Sequence, residues 1–209
     1  MEGRKMRLLK ICCIGIIIIG VASLSYAQND IDDRGEETAN HNYFVAGQTK
    51  YLSNLLGLVE GAHMINSPHN PGGGGTIGNI AKGRYDYAKG DVTYVLEHFV
   101  NHPKALQLMS MIALATHQYA WAVEKFEYAL KWYPNYALTH AQYGSFLVEM
   151  GNVPAGIEKL ETAVKMDPKL LAGWVWLNRA YNKQGNAESA RQAGEKAMAL
   201  GYKGQLPDK

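Results

Sequence analysis

A 34-residue period runs through the second half of this chain. It carries Pro134 to Pro168, Gly151 to Gly185, and Ala129 to Ala163 and on to Ala197. Such a recurrence constrains the fold more than composition does, because each copy must be one supersecondary unit whose open face is covered by the next. Three registers start at Pro103, Ala137 and Leu171. Their fourth positions hold Leu106, His140 and Trp174, their seventh Met109, Tyr143 and Leu177, and their eighth Ser110, Gly144 and Asn178. Later in each unit come Ala122, Gly156 and Ala190, then Phe126, Leu160 and Gly194. Helical patterning runs from near Asp86 to the end and strand patterning is nearly absent, so the expected class is all-α.

A 34-residue period with the pattern W-x2-L-G-x2-Y, A-x3-F and a closing proline is that of the tetratricopeptide repeat (TPR). Residues 103–202 resemble that superfamily in three in-phase copies, 103–136, 137–170 and 171–202, followed by a tail at 203–209. Three positions depart from the pattern. His140 stands for a large apolar residue, Asn178 for a small one and Gly194 for a bulky one. A partial unit at 83–102 matches a second helix in the same phase, through Tyr85, Tyr87, Ala88, Val92, Val95 and Leu96, with Val100 in place of the proline. Its first helix is expected from residues 43–64, within a segment 43–82 that also holds a Pro/Gly-rich insertion around Pro68 to Gly75. The expectation is thus a TPR solenoid of three full repeats and a partial one. The chain also resembles a group of exported bacterial TPR proteins. That likeness rests on Val59-Glu60 with His63, on Gly90-Asp91, Tyr94 and Leu96 running into Phe99-Val100-Asn101-His102-Pro103, and on Ala199-Leu200-Gly201-Tyr202.

Residues 1–27 read as a cleavable export signal. Arg4, Lys5, Arg7 and Lys10 precede an apolar run from Ile11 to Val21, and Ser25-Tyr26-Ala27 offers small residues for cleavage after Ala27. The run is shorter than the ~20 residues that span a bilayer, so no stable membrane insertion is expected after cleavage. The only two cysteines, Cys12 and Cys13, lie inside it, which leaves the remainder without thiol or disulfide. Removing the four basic and one acidic side chains of this segment leaves 17 basic against 18 acidic, which gives no case for nucleic acid as partner. Residues 28–42 are expected as a disordered acidic leader, and the destination as periplasmic or secreted.

The resemblance implies a surface formed by the first helix of each pair, preformed to hold a protein or peptide. Its expected contact residues are Lys104, Gln107 and Met111 in one unit, Ser145, Val148 and Glu149 in the next, and Val175, Arg179, Asn182 and Lys183 in the last. Arg179 and Lys183 are i, i+4 and could take a carboxylate. The carboxylate clamp of chaperone-binding TPRs is not expected, because Gln107 and Met111, or Ala141 and Ser145, occupy its positions. Trp121 and Trp176 lie off the main seams and are further candidates for partner contact.

No catalytic residue, cofactor or metal is assigned, and the chain is read as a scaffold or adaptor in the cell envelope rather than an enzyme. Gly73-x-Gly75-x2-Gly78 has the form of a dinucleotide fingerprint, but it follows no strand, and a mobile insertion is expected instead. An alternative is a metal-dependent enzyme using Glu60, His63, His98 and His102, whose side chains have ligand chemistry if the two segments meet. Another is a structural, self-associating protein. The sequence leaves the oligomeric state open.

Overall fold

A computed structural model describes residues 40–65 and 74–207. The leader to residue 39, with the signal segment, and residues 66–73 lie outside them. Two compact units divide at Tyr133 and Pro134.

The first unit holds a 3-10 turn at Tyr43–Gln48, α1 (Lys50–Val59), a π turn at Glu60–Ile65, α2 (Gly75–Ala81), α3 (Tyr85–His98), α4 (Pro103–Thr116) and α5 (Tyr119–Trp132). The single helix expected over 43–64 is broken at Thr49. That residue is extended (φ −124°, ψ 147°), and its hydroxyl caps α1 by accepting from the Leu52 amide at 3.1 Å. The leader also ends earlier than expected. His41 and Asn42 are fully buried, and the amides of Asn40 and His41 donate to the carbonyls of Glu97 and His98 at 2.9 and 2.6 Å. Part of the expected mobile insertion is helix α2. Its Thr76, Asn79 and Ile80 are buried, and Thr76 Oγ1 donates to the His63 carbonyl at 2.8 Å. Gly75 has no substitute there, because a Cβ would lie 2.2 Å from the Met64 carbonyl oxygen.

Helix α3 packs against α2, the π turn and α4, and more lightly against α1. In place of the one first helix expected from residues 43–64, α3 thus meets three short pieces, α1, the π turn and α2. Helix α4 starts cleanly because Pro103 needs no amide partner at the first turn and His102 Nδ1 accepts from the Ala105 amide at 3.2 Å.

The second unit is two hairpins, α6 (Ala137–Glu149) with α7 (Val153–Met166) and α8 (Leu171–Gln184) with α9 (Ala187–Ala199). Gly151 and Gly185 both turn left-handed, at φ 105° and 86°, which explains their periodic recurrence as turn residues at helix ends. Leu160, Val175 and Ala180 are wholly or almost wholly excluded from solvent, and each large apolar side chain so buried contributes about 1.5–3 kcal/mol.

The departures from the repeat pattern are resolved by packing. In the first hairpin a Cβ on Gly144 would lie 2.7 Å from both the Gly156 carbonyl oxygen and Leu160 Cγ, so small faces large. In the second the sizes are exchanged. Asn178 fills the gap, its Nδ2 donating to the Ala190 carbonyl at 2.7 Å, and Gly194 yields the space, since a Cβ there would sit 3.2 Å from that nitrogen. His140 likewise takes the part of its counterpart Trp174. Its Nε2 bonds the Pro134 carbonyl at 2.8 Å, and Trp174 Nε1 bonds the Pro168 carbonyl at 2.9 Å. The tail is not free: Leu206 is buried against Val175 and Ala197, and Asn182 Nδ2 donates to the Pro207 carbonyl at 3.1 Å.

Candidate functional site

Side chains at the second, fifth, ninth, twelfth and thirteenth positions of a helix share one face. In the first unit, α4 presents Lys104, Gln107 and Met111 on such a face, all half-buried. In the second unit α6 and α8 contact each other, so their faces lie side by side. Ser145, Arg179 and Asn182 are half-buried there, and Glu149 and Lys183 are exposed.

Two of the expected contact residues belong to the interior. Val148 is 3% exposed and Val175 0%, because they lie where the helices and Leu206 close over them. A Cβ on Gly156 would lie 2.4 Å from Val148 Cγ2, which shows how closely α7 covers that side chain. Lys183 is not a free cation either. Its Nζ donates to the Val148 carbonyl at 2.9 Å and pairs with Glu149 at 3.6 Å. It thereby neutralises the C-terminal end of α6, where carbonyls lack helical partners. Arg179 makes no ion pair among the described residues. Of the two off-seam tryptophans, both are half-buried, and Trp121 carries Lys89 Nζ 4.6 Å above its ring.

The four residues of the metal alternative do come from neighbouring segments but do not converge. Glu60 Oε1 and His102 Nε2 are 2.8 Å apart. His63 turns its Nδ1 to Asp91, 3.2 Å away, and His98 gives its Nδ1 to the Tyr94 carbonyl at 2.9 Å. The Tyr94 ring lies between the two imidazoles, 4.0 Å from one and 4.4 Å from the other. Among the described residues no three His, Cys, Asp or Glu side chains are placed to share an ion.

These pairs fasten the N-terminal segment to the repeats. His102 is fully buried, and its Nδ1 is committed as an acceptor, so Nε2 carries the proton it gives Glu60. The hydrogen bond from His102, with the nearby Lys104 charge, holds the Glu60 carboxyl below its ordinary pKa despite partial burial. Burial raises the Tyr43 phenol, and the Glu60 charge adds to it. Asn101 completes the fastening, accepting from the Tyr43 amide at 2.7 Å and donating to Asn42 Oδ1 at 2.8 Å. Asp91 and Asn101 entered the sequence reading as motif residues, without this fastening role. Asp91 sits on the stripe Ala88, Val92, Val95 that is wholly buried, and a carboxylate at such a position signals a buried partner.

No protein-family model matches the chain. A TPR repeat-containing protein of Pseudomonas aeruginosa is 35% identical over 63 residues, 30% of this chain and 60% of that relative. The chain thus matches about three fifths of the curated relative's length. Among solved structures, MamA of Desulfovibrio magneticus RS-1 has a TM-score of 0.47 at 23% identity, covering 60% of this chain and 71% of that one. YrrB, described as a TPR protein with an unusual peptide-binding site, has a TM-score of 0.47 at 17% identity, covering 60% and 65%. The 34-residue period, the helical hairpins built on it and the Pseudomonas match together make the helical pairs of this chain similar to tetratricopeptide repeats.

Proposed function

We propose that the chain is a non-catalytic scaffold that holds a protein or peptide, with the first-helix faces of α6 and α8 as its contact surface. One observation carries this: α6 and α8 lie side by side with Ser145, Arg179 and Asn182 left half-open on a face built from rigid helices. A guest loses little free energy to ordering such a receptor. Arg179, the cation on that face without an ion pair, favours an acidic group on the guest. Export through residues 1–27 and an assembly role in an envelope complex extend the same reading.

A photo-crosslinking residue placed at Ser145 or at Arg179 of the full chain tests it in cells. Both positions should trap the same partner, and Lys165, exposed on α7, should not. Trapping from Lys165 alone, or different partners from the first two, would overturn the assignment. Cell fractionation with N-terminal sequencing tests export: a mature chain starting at Gln28 is expected, and an intact Met1 in the cytosolic fraction contradicts it.

A further inference from the structure

A cleft of about 350 Å³ opens in the first unit, lined by Asn40, Leu96, Glu97, Val100, Lys125 and Tyr128. Leu96 and Glu97 come from α3, Lys125 and Tyr128 from α5, the second helices of their pairs, and Lys104, Gln107 and Met111 of α4 are not among its lining. Its floor is apolar, since Leu96 and Val100 are 4% and 2% exposed. One wall is aromatic. Tyr128 is 39% exposed, and Trp132, one turn further and 42% exposed, meets it edge-on at 6.2 Å. A third side is fixed by backbone: Asn40 donates to the Glu97 carbonyl at 2.9 Å, and the Tyr133 hydroxyl donates to the Asn40 carbonyl at 2.8 Å.

The cleft carries one charge of each sign. Glu97 is exposed on α3 and Lys125 half-buried on α5, and among the described residues neither makes an ion pair. An uncharged apolar occupant would strip water from both groups and return nothing. An occupant of a single charge would satisfy one group and repel the other. Complementarity requires a base toward Glu97, an acid toward Lys125 and an apolar side chain between them on Leu96 and Val100. The volume is near the lower end of the ~300–1,000 Å³ of ligand sites, enough for a short stretch of side chains and not for a helix.

We propose that this cleft docks an extended segment of a partner protein in which a basic and an acidic residue flank apolar ones. It is separate from the first-helix surface and does not depend on it.

Blocked peptides with one to three leucines between Lys and Glu, titrated into the full chain by calorimetry, test this. At least one spacing should bind, and its Gln-Leu-Gln counterpart should bind about tenfold more weakly. Glu97→Gln and Lys125→Gln, both at solvent-accessible positions, should each weaken the charged peptide several-fold. Glu97→Lys should shift preference to a peptide with glutamate at both ends, and Arg179→Glu should leave binding unchanged. No binding at any spacing, equal binding of the uncharged peptide, or indifference to both glutamine variants would overturn the proposal. Tighter binding of free leucine than of any blocked peptide would also overturn it, in favour of an amino-acid pocket.

Discussion

Replacing Gly144 by alanine asks whether the first-helix and second-helix axes approach as closely as the repeat requires. An added Cβ would lie 2.7 Å from the Gly156 carbonyl oxygen, 2.7 Å from Leu160 Cγ and 3.0 Å from the Leu160 amide nitrogen. Two of these three atoms are backbone and cannot swing aside, so α6 and α7 must separate. Overpacking of this kind costs about 1–3 kcal/mol. Against it stands the intrinsic helix preference of alanine over glycine, about 1 kcal/mol. The expected net loss is about 0–2 kcal/mol. Gly90 is the control: it also lies within a helix, but a Cβ there meets nothing within 4 Å, so Gly90→Ala should gain about 1 kcal/mol. Urea unfolding followed by circular dichroism reads both as shifts in midpoint. If Gly144→Ala is as stable as Gly90→Ala, the close contact between α6 and α7 is not there.

Burial holds the His140 ring below its ordinary pKa, the Lys159 charge adds to this, and the hydrogen bond to the Pro134 carbonyl opposes it. The unfolded chain therefore binds the proton more readily, and stability present at pH 7 should fall as pH drops through about 6.5. His140→Trp, which copies Trp174, should remove that part of the pH dependence while keeping the proline contact. Asn178→Ala should cost about 1–2 kcal/mol by thermal unfolding, since it deletes a buried bond and opens space beside Gly194. His102→Ala should destabilise the first unit by about 2–3 kcal/mol in urea, through the lost α4 cap and an unfilled buried site, and His102→Asn by less. Burial and the Glu161 carboxylate push the Tyr181 phenol up to about 12, so the late-titrating part of an ultraviolet titration should shrink in Tyr181→Phe, with the raised Tyr43 phenol left in place.

The sequence made the repeats legible because periodicity survives local substitution. The positions that looked like defects, His140, Asn178 and Gly194, turn out to be alternative ways of meeting the same packing demand. Pairwise size exchange across a helix contact cannot be seen in one residue at a time. The N-terminal region was less legible for a different reason. Thr49, with its capping side chain, cuts an apolar stretch that reads as one helix, and α2 is held by burial of Thr76, Asn79 and Ile80 in spite of its glycines. Tertiary contact overrides propensity in such short segments. The proposed contact face was less legible still. Ser145 and Arg179 share a helical phase and are half-buried, but Val148 and Val175 in the same phase are covered by neighbours that phase alone does not reveal.

Crosslinking between engineered cysteines tests the in-phase stacking of first helices most directly. In a background with Cys12 and Cys13 changed to serine, Glu149→Cys with Lys183→Cys places two thiols one full repeat apart in sequence, where the native side chains come within 3.6 Å. Glu149→Cys with Lys165→Cys places them nearer in sequence, but at opposite ends of the antiparallel hairpin α6–α7, about 20 Å away by helix rise. A short bis-maleimide should join the first pair rapidly in the folded chain and only slowly in denaturant, and should leave the second pair unjoined. Equal rates for the two pairs, or faster joining of the second, would contradict the side-by-side placement of α6 and α8 and with it the proposed contact surface.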